Sequence, residues 1–146
     1  MSLASLQEIE DLIRSAGFYK NKAKNIKSCA ELLVRDYEGI VPQTMAQLYQ
    51  LPGVGRKTAN VVLGNAFGIA AGVVVDTHVS RLANRFGWVK TFDAVRIEKV
   101  LNNLVPQKDW VMLPHYLISH GRAICKARNP QCSICFLNST CPKRGV

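Results

Sequence analysis

Several things are scarce in this 146-residue sequence, and each scarcity excludes a class of protein. No stretch approaches the roughly 18 consecutive apolar residues of a membrane span. Met1 to Arg14 lacks the basic start and apolar run of a secretory signal, so a cytoplasmic protein with no membrane partner is expected. Acidic residues number only ten against nineteen Lys and Arg, leaving a net charge of +9. A basic surface kept for solubility is one reading of that excess; a polyanionic partner is the stronger one. Cysteine is nearly missing before residue 125, where Cys29 stands alone. In a reducing compartment the five cysteines read as thiols or metal ligands, not as a disulfide framework. Repeats, low-complexity tracts and linkers are absent as well. With 48% hydrophobic and 20% charged residues, the chain is globular and long enough for a core of its own.

Helical periodicity runs through almost all of it. Leu3, Leu6, Ile9, Leu12 and Ile13 mark one face of a first helix stopped near Gly17. A second helix from about Asn21 to Tyr37 carries Ile26, Cys29, Leu32 and Leu33 on one stripe, which makes Cys29 a core thiol. Thr44 caps a short helix that buries Met45, Leu48 and Leu51. Further helices are predicted over Arg56–Phe67, Thr77–Phe86 capped by Asp76, Asp93–Leu104 and Pro114–Ala123. Val73-Val74-Val75 reads as a buried extended connector, too short between helices to be a strand. The fold class is all-α.

Leu51-Pro52-Gly53-Val54-Gly55-Arg56-Lys57-Thr58-Ala59 joins two of these helices by a tight turn. Gly53 and Gly55 permit positive φ and leave no Cβ in the way of an approaching group. Unpaired amides at the start of the next helix, with its positive dipole end, suit a phosphate, and Arg56 strengthens such a contact. The spacing excludes a nucleotide P-loop, which needs four residues between its glycines. A purely structural helix–helix turn remains open for a bare Gly-x-Gly.

Lys57 falls in the first helical turn, where the dipole disfavours a cation and so favours the neutral, nucleophilic amine. A solvated surface lysine is the plain alternative. Asp76 serves either as a helix cap accepting from amides near Val79 or as a proton-transferring carboxylate, and the two roles are compatible. His78, His115 and His120 read as packed or hydrogen-bonded rings, since none has the spacing of a metal site with another His.

Cys125, Cys132, Cys135 and Cys141 have the spacing C-x6-C-x2-C-x5-C. Four thiolates this close repel unless a cation neutralises them. Zinc prefers paired C-x2-C knuckles, and one is present; a cubane iron–sulfur cluster accepts irregular spacing. On spacing alone the two stand level.

The hairpin string from Leu51 to Phe67, the Val75-Asp76-Thr77-His78 segment and the cysteine spacing together resemble the endonuclease III family of helix-hairpin-helix DNA glycosylases. The resemblance extends from about Leu12 to Pro142. It implies a bifunctional DNA glycosylase and abasic-site lyase of base excision repair, removing oxidised pyrimidines and nicking by β-elimination. The partner implied is double-stranded DNA with a damaged base or abasic site. Lys57 matches the family's nucleophile and Asp76 its acid/base aspartate. A lysine at this position also sets the chain apart from the adenine-mismatch branch. Gly53, Val54, Gly55 and Arg56 match the DNA-backbone turn. Cys125, Cys132, Cys135 and Cys141 match the ligands of a [4Fe-4S] cluster, whose loop would present Lys126 and Arg128 to phosphates. Between Lys57 and Asp76 the chain is one residue longer than the family pattern, an excess that Ile69–Gly72 would absorb.

The family begins with further helices that this sequence does not contain, so the expectation is a partial glycosylase fold. Residues 1–74 would form the helical portion with the hairpin and residues 75–146 the cluster portion. Family members are monomeric, but uncovered helix faces make self-association an expectation here. A catalytically impaired DNA-binding fragment that keeps hairpin and cluster is the alternative, and a zinc-containing transcription module is a third reading.

Overall fold

The computed structural model describes residues 1–146, and all of its regular structure is helical. The α-helices are α1 (Leu6–Leu12), α2 (Tyr19–Tyr37), α3 (Met45–Leu48), α4 (Arg56–Phe67), α5 (Thr77–Arg85), α6 (Ala94–Leu104) and α7 (Met112–Ala123). Single-turn 3-10 helices lie at Gln107–Asp109 and Cys132–Ile134. Val73–Val75 connects two helices without forming a strand, as its length and setting predict.

Side-chain oxygens start four of the helices. Ser5, Thr44, Asp76 and Asp93 each accept from the backbone N–H three residues on, at Glu8, Gln47, Val79 and Arg96. At α1 the cap is reciprocal, because the Glu8 carboxylate also accepts from the Ser5 N–H. Helix α2 lacks a side-chain cap; Phe18 precedes it in the left-handed region at φ 56°. Its end is a left-handed pair, Glu38 and Gly39, with the Gly39 N–H returned to the Leu33 carbonyl.

The chain divides into two compact units, Met1–Ala59 and Asn60–Val146. In the first, α1 packs on α2, and Ile9, Ala23, Leu48, Leu51 and Ala59 are buried. The sequence stripes are only partly realised there. Leu3 and Leu12 are exposed, leaving Ile9 as the one buried member of the α1 face. Ile26, Cys29, Leu32 and Leu33 are half-buried, so Cys29 is not the core thiol that periodicity predicts. It lines an apolar groove of about 410 Å³ with Ile26, Ala30, Leu33, Pro52 and Val54, and its burial pushes the thiol pKa up.

The second unit has a closed core. Val73, Val79, Leu82, Ile97, Leu101 and Leu117 pack together with Cys125 among them, each full aliphatic burial contributing roughly 1.5–3 kcal/mol. Helix α5 is its centre and packs on both α6 and α7. At the α5–α7 crossing a Cβ on Gly121 would stand 2.9 Å from Arg81 Nη2 and 3.0 Å from His78 Nδ1, so glycine leaves room for the Arg81 guanidinium. Pro114 sits in the first turn of α7, where its missing N–H costs nothing. No helix is long and apolar enough to cross a membrane.

Candidate functional site

Helix α4 opens at Gly55, whose carbonyl accepts from the Ala59 N–H at 2.9 Å. The amides of Lys57 and Thr58 therefore have no carbonyl one turn back, and they lie at the positive end of the helix dipole. In the preceding turn the Val54 N–H donates to the Leu51 carbonyl at 3.1 Å. Gly53 has φ +76°, and a Cβ there would lie 2.9 Å from the Asn25 Cβ on α2. Both its conformation and its close approach require glycine.

Gly55 corrects the expectation that the two glycines share a reason. Its φ lies outside the left-handed region, and a Cβ on it would meet nothing within 4 Å. Nothing inside the chain demands glycine at 55, and the space a side chain would fill is open. Arg56 and Lys57 are exposed. Lys57 is thus in the first turn of α4, as its position predicts, with its side chain open to water.

Asp76 caps α5 with extended backbone, and its Oδ1 accepts from the Val79 N–H at 2.8 Å. The segment leading into it is pinned from α6: the Val73 N–H donates to Asn102 Oδ1 at 3.0 Å. Close by, buried Glu98 accepts from Asn60 Nδ2 at 3.2 Å, and a Cβ on Gly72 would collide with the Glu98 carboxylate. Lys57 belongs to the first compact unit and Asp76 to the second.

The four C-terminal cysteines are brought together around one cavity, closed on its other side by Arg85, Phe86 and His120. They surround it without converging as the ligands of a single ion would. Three of the polar groups aimed at the sulfurs can donate to them. Arg85 Nη1 lies 3.3 Å from Cys125 Sγ, the Lys143 N–H donates to Cys141 Sγ at 3.4 Å, and His120 Nε2 lies 3.6 Å from Cys135 Sγ. Burial pushes the His120 pKa down, favouring the neutral ring, which donates from Nε2 when its proton is there. Donors on soft anionic ligands are what an iron–sulfur cluster requires, so the site fits the group that the cysteine spacing implies. Lys126 and Arg128 stand exposed on the loop between the first two cysteines.

The histidines are packed or partnered, as their spacing suggests: His78 lies 3.2 Å from Arg81 Nη2 and His115 is 3.2 Å from Asn65 Oδ1. Sequence reasoning missed the two arginines of α5. Arg81 Nη2 donates to the carbonyls of Gly121 and Cys125, both at 3.1 Å, and Arg85 is 6% exposed. A signal for them existed. Arginines four apart alternate with the buried Val79, Leu82 and Ala83 on a helix that contains no acidic residue.

Residues 1–107 match the family described as HhH-GPD superfamily base excision DNA repair protein, and residues 125–141 match the iron–sulfur binding domain of endonuclease III. Endonuclease III of Synechocystis sp. is 55% identical over 136 residues, covering 93% of this chain and 62% of that protein. Endonuclease III of Bacillus subtilis is 47% identical over 137 residues, with the same two shares. The chain thus spans about 62% of the length of these curated relatives. Among solved structures, a trapped endonuclease III–DNA covalent intermediate superposes with a TM-score of 0.89 at 42% identity, covering 97% of this chain and 67% of that one. A non-covalent endonuclease III–DNA complex gives 0.90 at 43% identity, with 97% and 66% covered.

Proposed function

Since the chain belongs to the HhH-GPD superfamily of base excision DNA repair proteins, we propose that it is a DNA glycosylase and abasic-site lyase acting on double-stranded DNA. The observation that carries this reading is the hairpin turn. Gly53 is held against α2, Gly55 leaves open space, and the first-turn amides of α4 emerge beside Lys57. A DNA phosphate seated on those amides needs no base-specific contact, which suits an enzyme that must search all sequences. The base to be removed is first extruded from the duplex, and oxidised pyrimidines are the substrate class we assign.

The chemistry falls to two side chains. Lys57 Nζ, once it has given up a proton, attacks C1′ of the extruded nucleotide as the glycosidic bond breaks and the base departs with its electron pair. Asp76 stabilises the positive charge that develops on the sugar and carries protons at the amine. Opening of the sugar gives an imine between Lys57 and C1′. Loss of a C2′ proton then expels the 3′ phosphate by β-elimination, and water releases the enzyme. Cys125, Cys132, Cys135 and Cys141 would hold a [4Fe-4S] cluster, which would order the loop, and Lys126 and Arg128 on that loop meet the DNA backbone. We divide the chain by function into residues 1–74, with the hairpin, and residues 75–146, with the cluster portion.

A second reading is a binding fragment without catalysis, and the exposure of Lys57 to water favours it. Borohydride trapping on a duplex with one abasic site separates the two. The enzyme gives a covalent adduct that Lys57→Ala abolishes; binding with no adduct from the parent chain identifies the fragment.

A further inference from the structure

We propose that Arg85 is a positioning residue of the cysteine cluster, a side chain that fixes the start of the ligand loop in its binding form and balances its negative charge. Its guanidinium is buried at the end of α5, yet no carboxylate pairs with it. Both of its terminal nitrogens donate to the start of the cysteine loop. Nη1 reaches the Lys126 carbonyl at 2.7 Å and Cys125 Sγ at 3.3 Å, with the Cys125 carbonyl at 3.4 Å, and Nη2 reaches the Ala127 carbonyl at 3.1 Å.

The main chain of the same residue holds the far end of the motif. The Arg85 carbonyl accepts from the Arg144 N–H at 3.1 Å and lies 4.0 Å from Cys141 Sγ. Gly87, at φ +75°, keeps that end close, since a Cβ there would stand 3.2 Å from the Arg144 guanidinium and 3.3 Å from Pro142. First and last cysteines are thereby tied to one residue of α5.

A buried cation with no anionic partner costs several kcal/mol unless opposite charge comes to it. Four thiolates around a cluster supply that charge, and the planar fork of arginine meets a sulfur and three carbonyls at once where the single ammonium of lysine does not. Placed beside Cys125, the fixed charge also favours the more negative, reduced state of a cluster and so raises its reduction potential. This role depends on the cluster being bound and is independent of whether Lys57 cleaves DNA.

The test uses the full chain with its cluster, compared with Arg85→Lys and Arg85→Gln. Two quantities are read: the rate at which the visible iron–sulfur absorbance is lost to an iron chelator, and the cluster's reduction potential by protein-film voltammetry. Both variants lose the cluster about tenfold faster, the equivalent of one charge-assisted hydrogen bond, with helix content unchanged in Arg85→Lys. The potential moves to more negative values in Arg85→Gln and stays nearer the parent in Arg85→Lys, which keeps the charge. An Arg85→Lys chain that releases iron at the parent rate overturns the proposal, whether or not Arg85→Gln folds. An unchanged potential in a folded Arg85→Gln overturns it equally.

Discussion

Asp76 Oδ1 accepts from the Val79 N–H at 2.8 Å, so the carboxylate assigned to proton transfer is also the start of the helix at the centre of the second unit. Substitution at 76 can separate the two duties. Asparagine caps a helix as well as aspartate does but carries no charge. Asp76→Asn therefore keeps stability within about 0.5 kcal/mol while adduct formation on abasic DNA slows by about 100-fold or more. Asp76→Ala loses the cap too, at about 1 kcal/mol. Parental turnover in Asp76→Asn, measured beside thermal denaturation, removes Asp76 from the chemistry.

The two hairpin glycines respond differently. Gly53→Ala forces positive φ on a residue with a Cβ and presses that Cβ on Asn25, costing about 1–2 kcal/mol of stability. Gly55→Ser retains a good helix cap and meets no atom of the chain, so stability holds. Its side chain fills the open space at the first-turn amides, and affinity for duplex DNA drops about tenfold, the loss of one charged hydrogen bond. Parental binding by Gly55→Ser moves the phosphate contact elsewhere.

Lys126 and Arg128 are exposed on a loop anchored by Arg85, and under the proposed function they meet DNA phosphates. With both changed to alanine, the plot of log affinity for DNA against log salt becomes shallower by about two units, while the cluster absorbance stays intact. A slope equal to that of the parent chain means that these charges do not meet phosphates.

Cys29 lies half-buried in the groove beside α2, and burial raises its thiol pKa. Alkylation at Cys29, followed against pH by peptide mass, reaches its half-maximal rate above the pH found for an unstructured cysteine peptide. The direction follows from the nucleophile being the thiolate, which the apolar groove disfavours. A midpoint at or below the peptide value shows the groove to be open to water.

Local chemistry was the legible part of the fold. Thr44, Asp76 and Asp93 announce helix starts because a short polar side chain satisfies an amide three residues on, a relation confined to one turn. The bounds of α4 follow from the glycine turn before it. Burial was less legible. Leu3, Leu12 and Cys29 sit at helical spacing yet stay partly or fully exposed, since periodicity names a face but not what covers it. In the candidate site, cysteine spacing and the hairpin string identify residues through short-range pattern. Arg85 escaped because its partners are carbonyls and a sulfur some 40 positions away, contacts that only the crossing of α5 and α7 creates.

The four ligating cysteines come after every α-helix of the chain. Synthesis therefore delivers all seven α-helices before Cys132, Cys135 and Cys141, while the core around α5 waits for Cys125, which packs within it. A cluster that needs all four thiolates is completed only after the helices have been made. Cells short of iron would accumulate a helical chain with an unfilled loop, recognisable to quality control by that loop alone.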